Sequence, residues 1–202
     1  MAVREERARA RGRPSEGARE ALVEAAHKLF MERDYDQVST EEIIERSAVS
    51  RGALYHHFPT KLDLFRAVFK ASERRVIDRI AAEVPTSSTP FEAIVFLARG
   101  YLRAAEFDEE LRRIGLAQSR AVLGWEGWRE ACHELGVGIA VAAATAAIEA
   151  GELPPRDPET TAMILLGTMI EAAMLIVAAE NRAAARERSE AVVVDLLEGL
   201  RR

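Results

Sequence analysis

Residues 39–61, STEEIIERSAVSRGALYHHFPTK, concentrate the side chains best suited to chemistry. Arg51 has the reach and the paired donors to read a guanine edge. Thr40, Tyr55, His57 and Lys61 can each meet a phosphate oxygen, as can a helix N-terminus starting at Ser50. Gly52 and Ala53 are small enough to let a helix approach a groove closely, and the Ala53 methyl suits a thymine methyl. This is the chemistry of contact with double-stranded DNA. Two rival groupings fail on geometry. His56-His57 as metal ligands, or Cys132-His133 as nucleophile and base, would need neighbouring helical side chains to converge, and these point about 100° apart. With no phosphate-cradling loop either, neither an enzyme nor a bound cofactor is expected.

The elements that must position these groups are helices. Leu22, Ala25, Ala26, Leu29 and Phe30 recur at three and four residues, predicting a helix over 16–33, with Asp34 ending it in a left-handed conformation. Ser39 and Glu42 form a capping box, with Val38 and Ile43 as its hydrophobic staple, so a second helix runs to about Ser47. Ser50 caps a third. There Leu54 and Phe58 share the core face, which turns Gly52 and His56 outward with Ala53 and Tyr55 on the flanks. Two short helices in this order make a helix-turn-helix. Thr60 caps a long helix after Pro59.

Pro85–Pro90 reads as a linker. Thr89, Pro90 and Glu92 then start a helix to about Ala105. Further helices are expected over 111–122, 126–150 (stopped by Gly151), 158–180 and 184–200. Ala162–Ala179 approaches the length of a membrane span, but Glu171 lies near its middle and would be penalised in lipid. The expectation is a buried helix that, with Val192, Val193, Val194, Leu196, Leu197 and Leu200, packs against a second copy of the chain. Gly167, Ala172 and Ala173 are expected to let the two copies approach closely. Phe107, Trp125, Trp128, Cys132 and Met163 are candidates for lining a small-molecule pocket, and Glu171 is the polar residue to watch within it.

Composition agrees with a folded helical chain. Of 202 residues, 49% are hydrophobic and 30% charged. The net charge of −5 at first sight argues against nucleic acid, but its distribution does not. Residues 1–81 carry 16 Lys+Arg against 14 Asp+Glu, and the remainder 12 against 19. A basic start joined to an acidic body suits a DNA-reading end. Arg11 and Arg13, in Arg11-Gly12-Arg13-Pro14, have the form of an arm that enters an A·T-rich minor groove. Arginines stand where a signal peptide would need an apolar stretch, and the single cysteine excludes an internal disulfide; both suit the cytoplasm.

Residues 16–69 resemble the TetR family of transcriptional regulators. The resemblance rests on Val49-Ser50, Leu54-Tyr55-His56-His57-Phe58 and Lys61, with Ala25-Ala26, Leu29-Phe30, Ile43 and Glu45-Arg46 upstream. Three positions depart from it: Asp34 and Ala48 stand where glycine is usual, and Ile44 where a small residue is usual. The resemblance implies an all-α chain with a basic arm (1–15), a three-helix DNA-binding domain (16–60), a connecting helix (61–84) and a helical ligand-binding and dimerisation domain (85–202). It further implies a homodimer on a palindromic DNA operator, a small-molecule inducer of unknown identity, and no membrane partner.

Overall fold

The computed structural model describes residues 16–201, and every regular element among them is helical. The chain divides into two compact units, residues 1–68 and 69–202. The division falls inside the long helix that follows Thr60.

The first unit is built from α1 (Glu16–Glu32), α2 (Thr40–Ser47), α3 (Arg51–His57) and the opening turns of α4 (Lys61–Ala82). Leu22, Ala26, Phe30, Ile43, Leu54, Leu64, Phe65 and Val68 are fully enclosed. Phe30, Tyr35 and Phe65 form an aromatic triangle with centroids 5.1–5.8 Å apart. Surface ion pairs Arg33–Glu42 and Arg46–Glu32, at 2.7 and 2.8 Å, tie the end of α1 to α2. The Ser39 backbone N–H above all, then the Arg33 guanidinium and the Ser39 hydroxyl, donate to the Glu42 carboxylate and hold its pKa down at about 2.

The predicted capping box forms: Glu42 N–H donates to Ser39 Oγ at 3.2 Å, and Ser39 N–H to Glu42 Oε2 at 2.8 Å. Asp34 corrects an expectation. It is extended (φ −72°, ψ 155°) and leads into a 3-10 turn over Tyr35–Gln37, whose last N–H returns to the Asp34 carbonyl at 3.0 Å. The chain therefore needs no left-handed residue there. It needs one at Ala48, with φ 54°, between α2 and α3.

The second unit comprises the rest of α4, α5 (Pro90–Phe107), a π-wound stretch (Leu111–Gln118) leading into α6 (Ser119–Cys132), a π turn (His133–Val137) leading into α7 (Gly138–Glu149), then α8 (Pro158–Ala178) and α9 (Arg182–Gly199). Thr89 and Asp157 cap α5 and α8 as their sequences predict, and Gly151 ends α7 with φ 71°. Gly124 interrupts α6 at φ 67°, ψ 175°, a conformation open to glycine alone. Its core joins Val76 and Ile80 to Phe91, Ala98, Leu102, Leu111, Ala147, Ile176, Val193 and Leu197.

By length and composition α8 is apolar enough to cross a membrane. Here it packs against α5, α7 and α9, burying Ala162, Ala172, Ala173 and Ile176. Ala172 and Ala173 are thus spent on the unit's own core and are not free to bring two copies together.

Candidate DNA-reading face and effector cavity

The turn before α3 is set by local hydrogen bonds. Ser50 Oγ accepts from Ala53 N–H at 3.2 Å, satisfying a free donor of the first turn. Leu54 and Phe58 are buried, so the opposite side of the helix faces out as its periodicity requires. Arg51, Gly52, Tyr55 and His56 are exposed on it, and Ala53 is half-buried. A Cβ at Gly52 would meet nothing within 4 Å, so this end of the helix is free to approach another surface. Thr40 Oγ1 lies 3.5 Å from Tyr55 Oη, placing two hydroxyls from α2 and α3 side by side. Arg51 is paired with Glu41 of α2.

Two of the predicted contact residues sit less freely than their types suggest. Lys61 Nζ donates to the Tyr35 carbonyl at 2.5 Å and lies 3.9 Å from the centre of the Tyr35 ring. Partial burial pushes its pKa down. His57 is half-buried with Nε2 enclosed, so that nitrogen does not face outward. Arg11 and Arg13 lie outside the described residues.

In the second unit, a partly open cavity of about 140 Å³ is lined by α4, α5, the end of α6, α7, α8 and the turn before α7. Its walls are apolar except for Glu73, Tyr101 and Cys132. Burial pushes the Cys132 thiol up to about 12, which makes it an inert wall rather than a nucleophile. Beside the cavity, Trp125, Trp128, Cys132, Met163 and Glu171 line one groove together with Arg120, whose guanidinium lies 5.5 and 5.2 Å from the two indole rings. Cys132, Leu166 and Ile170 belong to both hollows. Five of the six predicted pocket residues therefore converge.

Phe107 does not. It ends α5 with 69% of its surface exposed and lines neither hollow, because the side of α5 that meets the core is that of Ala98, Leu102 and Ala105. The sequence reading missed Glu73 and Tyr101. The available signal was a carboxylate on the apolar side of α4, four residues after Phe69 and three before Val76.

Comparison with known proteins accords with this geometry. Residues 22–68 match the family described as bacterial regulatory proteins, tetR family, and residues 91–200 match the tetracyclin repressor-like C-terminal domain. The transposon Tn10 TetC protein of Escherichia coli is 26% identical over 155 residues, covering 77% of this chain and 78% of that protein. The crystal structure of a TetR-family transcriptional regulator from Pectobacterium atrosepticum superposes with a TM-score of 0.76 at 31% identity, covering 90% of this chain and 93% of the other. RolR in complex with resorcinol shares the fold, with a TM-score of 0.68 at 19% identity over 92% and 93% of the two chains. Both halves of the sequence, and the helix-turn-helix built by Ser39–Phe58, lead to one conclusion: the chain belongs to the TetR family of DNA-binding, non-enzymatic transcriptional regulators.

Proposed function

We propose that the protein is a cytoplasmic repressor that binds a near-palindromic operator as a homodimer and is released by a small molecule held in its second unit. The observation that carries this reading is the outward side of α3, where Arg51, Gly52, Tyr55 and His56 stand exposed on a helix capped by Ser50. In this reading Arg51 reads a base edge, and Ala53 meets a thymine methyl. Thr40, Ser50, Tyr55 and Lys61 position the helix on the phosphates, His56 faces the groove from the outward side, and Arg11 and Arg13 enter the adjacent minor groove.

A homodimer is supported by the apolar side chains that α8 and α9 leave uncovered: Ile164, Leu175, Val192 and Leu196, each more than half exposed. A second copy covering this surface would remove a patch unusual on a soluble monomer and present two recognition helices to successive major grooves. Release by a ligand is supported by the apolar cavity and the adjoining tryptophan groove. The ligand must favour a conformer whose recognition helices no longer match the groove spacing, which requires different affinities for the two states.

The test is selection of DNA fragments by the purified protein, followed by anisotropy titration of the enriched fragment against a scrambled one. A twofold-symmetric site bound at least a thousandfold more tightly than the scrambled fragment is expected. Equal affinity for both overturns the reading.

A further inference from the structure

Glu73 reaches from α4 into the cavity of the second unit and is only 7% exposed. Tyr101 Oη donates to its Oε2 over a long 3.4 Å. The other oxygen, Oε1, is buried and has no hydrogen-bond partner among the described residues. Room for it comes from Gly115 in the π-wound stretch, where a Cβ would stand 2.3 Å from Oε1. The remaining wall is hydrocarbon, with Ile77, Ile94, Leu97, Leu165 and Met169 prominent. Gly115 is not one of the cavity walls, so Oε1 is closed in there; the carboxylate that lines the cavity has only the long Tyr101 bond, and a buried carboxylate so poorly donated to is costly.

The groups around Glu73 define the donor it lacks. Tyr101 faces it from α5, and Cys132 from the end of α6. Asp108 and Glu110, just beyond α5, act on it as negative charges, though each is paired with an arginine of α4, Arg79 and Arg75. Among the described residues, no positive charge is one of the groups that shift Glu73. Burial above all, and then the two acids, push its carboxyl up to about 7 against the Tyr101 hydrogen bond, so it exchanges its proton near neutrality. A neutral donor would bond the Glu73 carboxylate but leave a buried negative charge; an ammonium group supplies both a donor and the opposite charge. The volume, about 140 Å³, suits a single six-membered ring, since a cavity of about 150 Å³ accepts benzene.

We infer that this cavity takes a compact, mainly apolar primary amine, whose ammonium group docks on Glu73 and whose hydrocarbon body fills the wall of α5 and α8. The inference rests on the reading of this cavity as the effector site.

Titration calorimetry on the full chain at pH 8 tests it with four probes of one size: benzylamine, benzyl alcohol, toluene and benzoate. Benzylamine is expected to bind about tenfold or more tighter than benzyl alcohol or toluene, with benzoate the weakest. In Glu73→Gln the advantage of benzylamine over benzyl alcohol disappears while toluene binds as before, which shows the cavity intact. Lowering the pH from 8 to 6 weakens benzylamine binding to the wild type, because the carboxylate takes up a proton while the amine stays charged. The inference is overturned if no probe binds, if benzylamine binds no tighter than toluene, or if Glu73→Gln keeps the preference. Operator binding is followed separately by anisotropy. Glu73-dependent binding of benzylamine that leaves operator affinity unchanged supports the ligand chemistry and overturns the cavity's role as effector site.

Discussion

The guanidinium of Arg51, in the first turn of α3, is paired with the carboxylate of Glu41, in the first turn of α2. The candidate base-reading group is thus held by an acid of the same motif until DNA competes for it. Arg51→Ala is expected to cost about 1–3 kcal/mol on the cognate operator and to relax preference at one base pair per half-site. Glu41→Gln, which frees the guanidinium and removes a negative charge beside the phosphates, should instead tighten binding to cognate and random DNA. Anisotropy titrations on both DNAs decide: equal loss on the two for Arg51→Ala assigns Arg51 to phosphate contact only.

Lys61 holds the Tyr35 carbonyl and ring, yet an ammonium group has three donors and can keep that contact while meeting a phosphate. Lys61→Ala should therefore change two readouts. Stability falls by about 1–2 kcal/mol, and the slope of log affinity against log salt becomes shallower by about one. A stability loss with an unchanged slope makes Lys61 a clamp on Tyr35 and nothing more.

Ala48 carries the left-handed conformation of the turn. Ala48→Gly relieves the clash of its Cβ, and this exceeds the freedom that glycine adds to the unfolded chain. Denaturant unfolding should show a gain of about 0.5–1 kcal/mol with operator affinity unchanged. A loss of stability would mean that the turn relaxes out of the left-handed region.

Val193 and Leu196 lie three residues apart on α9 but have opposite surroundings. Val193 is 4% exposed in the unit's own core, and Leu196 is 53% exposed. Leu196→Arg should give a monomer of native helical content by sedimentation and circular dichroism, with operator binding lost at working concentration. Val193→Arg should unfold the unit, since an unpaired charge would be buried there. A Leu196→Arg protein that sediments as the wild type does removes the α8–α9 surface from the proposed interface.

Glu73 also makes stability depend on pH. Its carboxyl is raised from an ordinary 4.5 to about 7 in the folded chain, so between these values the folded state binds more protons than the unfolded one. Its contribution is fully present below about 4.5 and is lost as the pH rises through about 7, at a cost of as much as about 3 kcal/mol. The melting temperature of Glu73→Gln should accordingly exceed that of the wild type at pH 8, with the gap narrowing towards pH 5. A constant gap would show that Glu73 is ionised throughout.

Much of the first unit is legible in the sequence because its signals act within a few residues. Ser39 with Glu42, Ser50 with Ala53, and Leu54 with Phe58 are all three or four positions apart, and a helix turns such spacings directly into contacts. The family resemblance, the helix boundaries and the outward side of α3 follow from them, as do the caps at Thr89 and Asp157.

Contacts between distant positions were decided only by the tertiary structure. Lys61 meets Tyr35 across 26 residues, and Glu73 meets Tyr101 across 28. Helices as uniformly apolar as α8 carry no periodic mark of which side is core. Whether Ala172, Ala173 and Val193 or Ile164, Leu175 and Leu196 would be left for a partner therefore depended on where α5, α7 and α9 came to lie. Phe107 was displaced for the same reason: the last turn of α5 extends past the core that Leu102 and Ala105 enter. The sequence determined the DNA-reading motif because its geometry is local; the cavity and the uncovered apolar surface of α8 and α9 arise from the packing of helices far apart in the chain.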